Sequence, residues 1–302
     1  MRKQLIRTKY EDVYNNIDDA TTWLSDHGLE ITRTRIGEYK RAFKCLIKKY
    51  NSGTFTLDEQ KSFFVTYVNL VFEVQELVYI YQGLSKIPNN QLAGRLKRFI
   101  KGPSAVTDEN PSKSTNAARN IAFELLIASQ LSSSGIEIDF GTDADMSFTF
   151  EDNKFFIECK RPQYTHQINS NIKGANKQLL KRYRTCKEQK KAFGIVALSV
   201  SKILNPKFYI LISQNTNSMH SHIENLLNKF HTEHKAKYLN PSDPKTIGMM
   251  VQFSTPVSLE DEKIIAHSHL LDLTNCCDPR SKKIEYIKKL ANVLKSTESS
   301  VK

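Results

Sequence analysis

Residues 145–160 read DMSFTFEDNKFFIECK, two short apolar runs on either side of the polar tetrapeptide EDNK. Aromatic and β-branched runs of this length favour strands, and EDNK reads as a turn, so the stretch predicts a β-hairpin. Alternate side chains of a strand face opposite ways. Phe155, Ile157 and Cys159 therefore share one face, and Phe156, Glu158 and Lys160 the other. In the first run Asp145, Ser147 and Thr149 lie on the face opposite Met146, Phe148 and Phe150. Pairing of the two runs brings Asp145 near Glu158. Asp143 is the alternative, on the same face if the strand extends that far.

A carboxylate inside an apolar strand is expensive unless charge relieves it. Two carboxylates held close together repel, and each favours the neutral form. A divalent cation removes that conflict, and oxygen ligands suit Mg2+ or Mn2+. Such an ion polarises a phosphate and lowers the pKa of a bound water. Lys160 is placed to orient or deprotonate that water, or to offset charge on the phosphate. The chemistry expected of these residues is phosphodiester hydrolysis. The plain alternative is a solvated edge-strand pair, Glu158 with Lys160. Glu124, embedded in the apolar IAFELLIA, either completes the acidic cluster or sits on the solvent edge of an amphipathic helix.

Around this stretch the chain reads as α/β, with a mixed central sheet flanked by helices and preceded by a mainly helical N-terminal region. Residues 15–100 read as helical, most strongly over 57–84, with Thr56 and Glu59 as a capping box and Gly83 and Pro88 as stop signals. The apolar residues of 57–84 nearly encircle that helix, which predicts a core or interface element. Residues 101–116 mix Pro, Gly, Ser and Asn without apolar period and mark a boundary. The expected domains are 1–105, a mainly helical region for substrate selection or dimerisation, and 106–302. In the second, NAARNIAFELLIASQLSSSG is a helix ended by Gly135, AFGIVALSV and KFYILIS are buried strands, and SHIENLLNKFHTEHKAKYL is a helix. TIGMMVQF and HSHLLDLT add strands, and a terminal helix starts with Asp278 as cap and Pro279 at its first position.

The order of these features resembles the PD-(D/E)xK nuclease superfamily, over roughly residues 115–215. The residues that carry the resemblance are Glu124 in the first helix, Asp145 at a strand start, and ECK at 158–160, continued as ECKRP. No proline precedes Asp145, where DAD stands instead, which leaves Asp143 and Asp145 both open. The resemblance implies a restriction-endonuclease-like core: helix, three-stranded meander, helix, strand. It implies Asp145 and Glu158 as metal ligands, Glu124 as a further ligand, and Lys160 as the catalytic lysine. Gln178, in the next helix, matches the supporting glutamine of some members. It also implies a role in defence against foreign DNA or in repair.

The segment 171–191 is basic, and Ile172, Ala175, Leu179, Tyr183 and Cys186 form its apolar stripe. Lys173, Lys177, Lys181, Arg184, Lys187 and Lys191 fall on another side, where a nucleic-acid backbone would be held without sequence preference. Arg161 is a further candidate phosphate contact. With 44 Lys and Arg against 32 Asp and Glu, the formal charge is +12, which favours a polyanionic partner. DNA is preferred, with RNA, a non-catalytic nucleic-acid-binding module and a protein-interaction module as alternatives. A homodimer or protein partner would use the N-terminal helices.

No run approaches membrane-spanning length, the basic start lacks an apolar signal core, and a cytoplasmic protein is expected. The five cysteines form no zinc-type pair, and the His pairs 220/222, 231/234 and 267/269 complete no zinc signature. No phosphate-binding Gly-Lys-Ser/Thr loop and no Gly-x-Ser-x-Gly elbow is present.

Overall fold

The computed structural model describes residues 2–6, 10–54, 57–104, 108–109, 117–187, 189–238, 243–261, 264–278 and 280–296. Strands β3 (Met146–Phe150) and β4 (Asn153–Lys160) pair antiparallel, with Met146 opposite Ile157 and Phe150 opposite Asn153. Glu151 and Asp152 turn the chain with φ of 46° and 58°. Positive φ at both central residues is the turn geometry whose twist matches paired strands.

The helical region contains α1 (Tyr10–Asp26), α2 (Arg35–Asn51), α3 (Leu57–Leu84) and α4 (Asn89–Phe99). It is preceded by β1 (Arg2–Ile6), a strand that the sequence pattern did not announce. The expected cap at Thr56 lies outside the described residues, as does most of the expected boundary, at 105–107 and 110–116. Helix α5 (Ala117–Ser133) ends as expected at Gly135, whose φ is 80°. The Ile136 amide reaches the Leu131 carbonyl and the Gly135 amide that of Ser132, the paired bonds of a glycine-terminated helix.

After β2 (Ile138–Asp139) and the hairpin come α6 (Ile168–Thr185), β5 (Ala192–Ser199), the short α7 (Ser201–Leu204) and β6 (Leu211–Ser213). Then follow α8 (Thr216–Tyr238), β7 (Thr246–Leu259), β8 (Ile264–Asn275) and α9 (Ile284–Ser296). The sheet runs β1-β8-β7-β5-β4-β3-β2, and β6 pairs with the far end of β7. β4, β5 and β7 are mutually parallel, while β8, β3, β2 and β1 run antiparallel to their neighbours. The fold is thus α/β with a mixed open sheet and a helical N-terminal region.

The strand alternation sorts side chains between two layers. Phe155, Ile157, Phe193 and Ile195 join one core with α1–α5 and α9, and Phe156, Val196 and Leu198 join another with α6 and α8. Every residue of β5 is buried, as expected of a parallel strand covered on both faces. Helix α3 is a core helix over its described side chains, packing on α1, α2, α5 and β8. Its buried carboxylate Glu73 is paired with Arg35 and Arg119.

Three local expectations differ from the structure. KFYILIS contributes only the short β6, and Ile212 is 65% exposed, because that strand extends along β7 beyond the end of β5. The basic helix stops at Thr185, where Cys186 turns extended (ψ 128°) so that the chain can enter β5. The terminal helix starts at Ile284, not at Pro279, which lies outside the described residues. Asp278 instead accepts the Arg280 amide in a turn before the helix.

Helices α3 and α5 touch at Gly83, where an added Cβ would lie 2.5 Å from the Ser129 carbonyl oxygen. Gly83→Ala is expected to destabilise the protein by about 1–3 kcal/mol through overpacking. At exposed Gly94 an added Cβ meets nothing within 4 Å. Gly94→Ala is expected to stabilise by about 0.4–1 kcal/mol. Urea unfolding of the two variants checks the opposite signs.

Candidate active site

The antiparallel ladder of β3 and β4 ends at Met146 and Ile157, and its continuation sets Asp145 opposite Glu158. Asp145 secures this end of the hairpin by accepting the Cys159 amide at its Oδ2, at 2.7 Å. Residues 141–145 are a bend, so the strand does not extend to Asp143. The Asp143 side chain is 82% exposed and faces Arg182 at 3.8 Å.

Glu158 is completely buried on the α6 side of the sheet. Its Oε1 accepts from Arg182 Nε at 3.2 Å, and its Oε2 lies 3.8 Å from Lys160 Nζ. Among the described residues that Oε2 has no hydrogen-bond partner. Glu124, nearly buried on α5, accepts from Arg95 Nη1 at 2.7 Å. Arg95 also donates to the Ala144 carbonyl at 3.5 Å and lies over the Phe140 ring, joining α4 to the bend that carries Asp145.

Burial, and then the Asp145 charge, pushes both Glu158 and Glu124 up to about 7. Asp145 is thus electrostatically coupled to each glutamate, although they project from opposite layers. Lys160 opposes the shift at both, Arg182 at Glu158 and Arg95 at Glu124. Asp145, Glu158, Lys160 and Glu124, predicted from sequence, therefore converge at one end of the sheet. Gln178 is half-buried on α6, and among the described residues it makes no hydrogen bond to this cluster.

Two participants were missed. Arg182 stands four residues after Gln178, hence on the same helical face, and that spacing was a usable signal. Arg95 lies 29 residues before Glu124 and carried no local signal. The cluster thus pairs carboxylates Glu124, Asp145 and Glu158 with cations Arg95, Lys160 and Arg182. Among the described residues no group of three His, Cys, Asp or Glu side chains stands ready to hold a metal ion. Asp145 and the unsatisfied Glu158 Oε2 still suit an ion that takes one or two carboxylates and keeps its waters.

Ile172, Ala175, Leu179 and Tyr183 form the buried stripe of α6, with Cys186 half-buried beyond its end. Lys173, Lys177, Lys181, Arg184 and Lys187 are exposed. Beside them a cleft of about 540 Å³ is lined by Lys154, Phe156, Arg182, Lys187, Lys191 and Asp143, among others. Arg161 is not on this surface; it forms a two-pronged pair with Glu109. The described helices include none long and apolar enough to cross a membrane.

Comparisons with protein-family models, curated proteins and solved structures find no significant match to this chain.

Both glutamates bind a proton more tightly in the folded chain than at the usual carboxyl pKa of about 4.3. Between that value and about 7 the folded state holds more protons than the unfolded one. Their favourable contribution is complete below the unfolded pKa and is lost as pH rises through this window. Glu158→Gln, fixed in a neutral form, is expected to gain on wild type by about 1–3 kcal/mol between about pH 5 and about pH 8 in EDTA. A stability difference that stays flat with pH counts against the buried-carboxyl assignment.

Proposed function

We propose that this protein is a metal-dependent nuclease that hydrolyses phosphodiester bonds, with DNA as its favoured substrate. The observation that carries this reading is the buried Glu158 Oε2, which has no hydrogen-bond partner among the described residues and lies beside Asp145 and Lys160. A buried carboxylate oxygen left unsatisfied is costly unless something with positive charge visits it. Asp145 and Glu158 would hold Mg2+ or Mn2+, with Glu124 binding directly or through water. When bound, the ion would polarise the phosphate and lower the pKa of the attacking water.

The chain's own groups supply the rest. Asp145 is oriented by the Cys159 amide and Glu158 by Arg182. Lys160 presents a donor to the attacking water or to the developing negative charge on phosphate. Gln178, half-buried on α6, would support the site only through the water or metal shell, since among the described residues it bonds none of these side chains directly. The exposed lysines and Arg184 of α6, with the cleft beside them, hold the sugar–phosphate backbone by charge.

Circular and linear DNA and RNA, offered with Mg2+, Mn2+ or EDTA, test the proposal. Metal-dependent cleavage is expected from wild type, reduced about 10²–10⁴-fold in Lys160→Ala and lost in Glu158→Ala. Undiminished cleavage by purified Glu158→Ala overturns it. Neutralising Lys173, Lys177 and Lys181 one at a time is expected to lower the salt slope of duplex binding by about 0.9 per lysine that holds a phosphate.

A second reading is favoured by the ion pairs Arg95–Glu124 and Arg182–Glu158, which relieve much of the carboxylate repulsion without a metal. A nucleic-acid-binding module without activity would keep these pairs as structural elements. It predicts salt-sensitive binding with no cleavage and no thermal shift on adding Mg2+ or Mn2+.

A further inference from the structure

Arg161 follows Lys160 directly in the chain. Its Nη1 and Nη2 donate to Glu109 Oε1 and Oε2 at 2.5 and 2.8 Å. Lys202 Nζ stands 3.5 Å from the same Oε2. The side chains of Glu109, Arg161 and Lys202 are 0%, 8% and 10% exposed. Burial pushes the Glu109 carboxyl up, but Arg161, then Lys202 and Arg119, outweigh it and hold the group below the ordinary carboxylate range.

A planar guanidinium fork closed by an ammonium is an arrangement that receives phosphate as well as carboxylate. The carboxylate here is delivered by residue 109, which belongs to no helix or strand, within the polar stretch 101–116. Arg119 is committed elsewhere, to Glu73 and to the carbonyls of Pro103 and Ser104. The start of this stretch is therefore anchored independently of Glu109. Beside Arg161 lies a cavity of only about 20 Å³, lined in part by Ser199, Ser201, Gln252 and Ser254. That is room for one water. An anion can engage the fork only in place of the Glu109 carboxylate.

We infer that Arg161 and Lys202 form a phosphate-binding subsite, its arginine one residue along the chain from the proposed catalytic lysine, and that Glu109 fills it as an internal competitor. The occupant is a phosphate group, carried as a strand-terminal monoester or as an internal diester. The nucleic-acid source rests on the proposed nuclease function; the anion site itself does not.

The test uses the full chain as wild type, Glu109→Gln, Glu109→Asp and the double variant Glu109→Gln/Arg161→Met. Thermal midpoints are titrated with inorganic phosphate against chloride at matched ionic strength. Both single variants are expected to show a saturable, phosphate-specific rise larger than that of wild type, and the double variant none. Binding of fluorescent oligonucleotides in EDTA is expected to tighten about 10-fold in Glu109→Gln, a gain of about 1.4 kcal/mol. A preference for 5′-phosphorylated over 5′-hydroxyl strands assigns the monoester, and equal tightening assigns the diester. No phosphate-specific rise in either single variant, or an equal rise in wild type, overturns the inference. Absence of metal-dependent cleavage would sink the nuclease reading and leave the phosphate titration standing, so the two failures are separable.

Discussion

A fully buried carboxylate at the end of a central strand is the constraint around which this structure is organised. Glu158 pairs with Val196 of β5 one residue past the end of the β3 ladder, and its side chain is completely buried. The groups around it are arranged to make that position tolerable. Arg182 reaches it from α6, Lys160 from two residues along the strand, and Asp145 faces it while tied to the Cys159 amide. Removing one member of such a set leaves an uncompensated charge, so these residues act as a unit. What the set does not satisfy, among the described residues, is one oxygen of Glu158 and the repulsion from Asp145.

The same end of the sheet ties the helical region to the rest of the chain. Arg95 of α4 holds Glu124 of α5 and the bend before Asp145. Arg119 of α5 joins Glu73 of α3, and Glu109 meets Arg161. Residues from α1–α5 share one hydrophobic core with β3, β4, β5 and α9. Helices α3 and α4 thus pack on the helix that carries Glu124, while Asp145 stands on the bend before β3 and Glu158 on β4.

Much of this was legible from local pattern. The alternation in KFFIECK put Glu158 and Lys160 on one face, and that parity follows from strand geometry wherever the strand is placed. The span of α3 and the glycine stop after α5 were also written locally, because apolar period and positive-φ glycines act within a few residues. Less legible were β1, which pairs with β8 about 265 residues away, and the late start of α9, where Asp278 serves a turn. Arg182 was visible as one of many basic residues, but its role depends on which part of α6 passes Glu158.

The sequence by itself determined the hairpin, the shared face of Glu158 and Lys160, and the exposed basic side of α6. These follow from periodicity, a property of a few consecutive residues. Only the tertiary structure decided that Asp145 rather than Asp143 meets the glutamates, that Arg95 and Arg182 neutralise part of the cluster, and that Arg161 is held by Glu109. Each of those depends on the packing of elements distant in the chain, and electrostatic contacts across such distances have no sequence period to announce them.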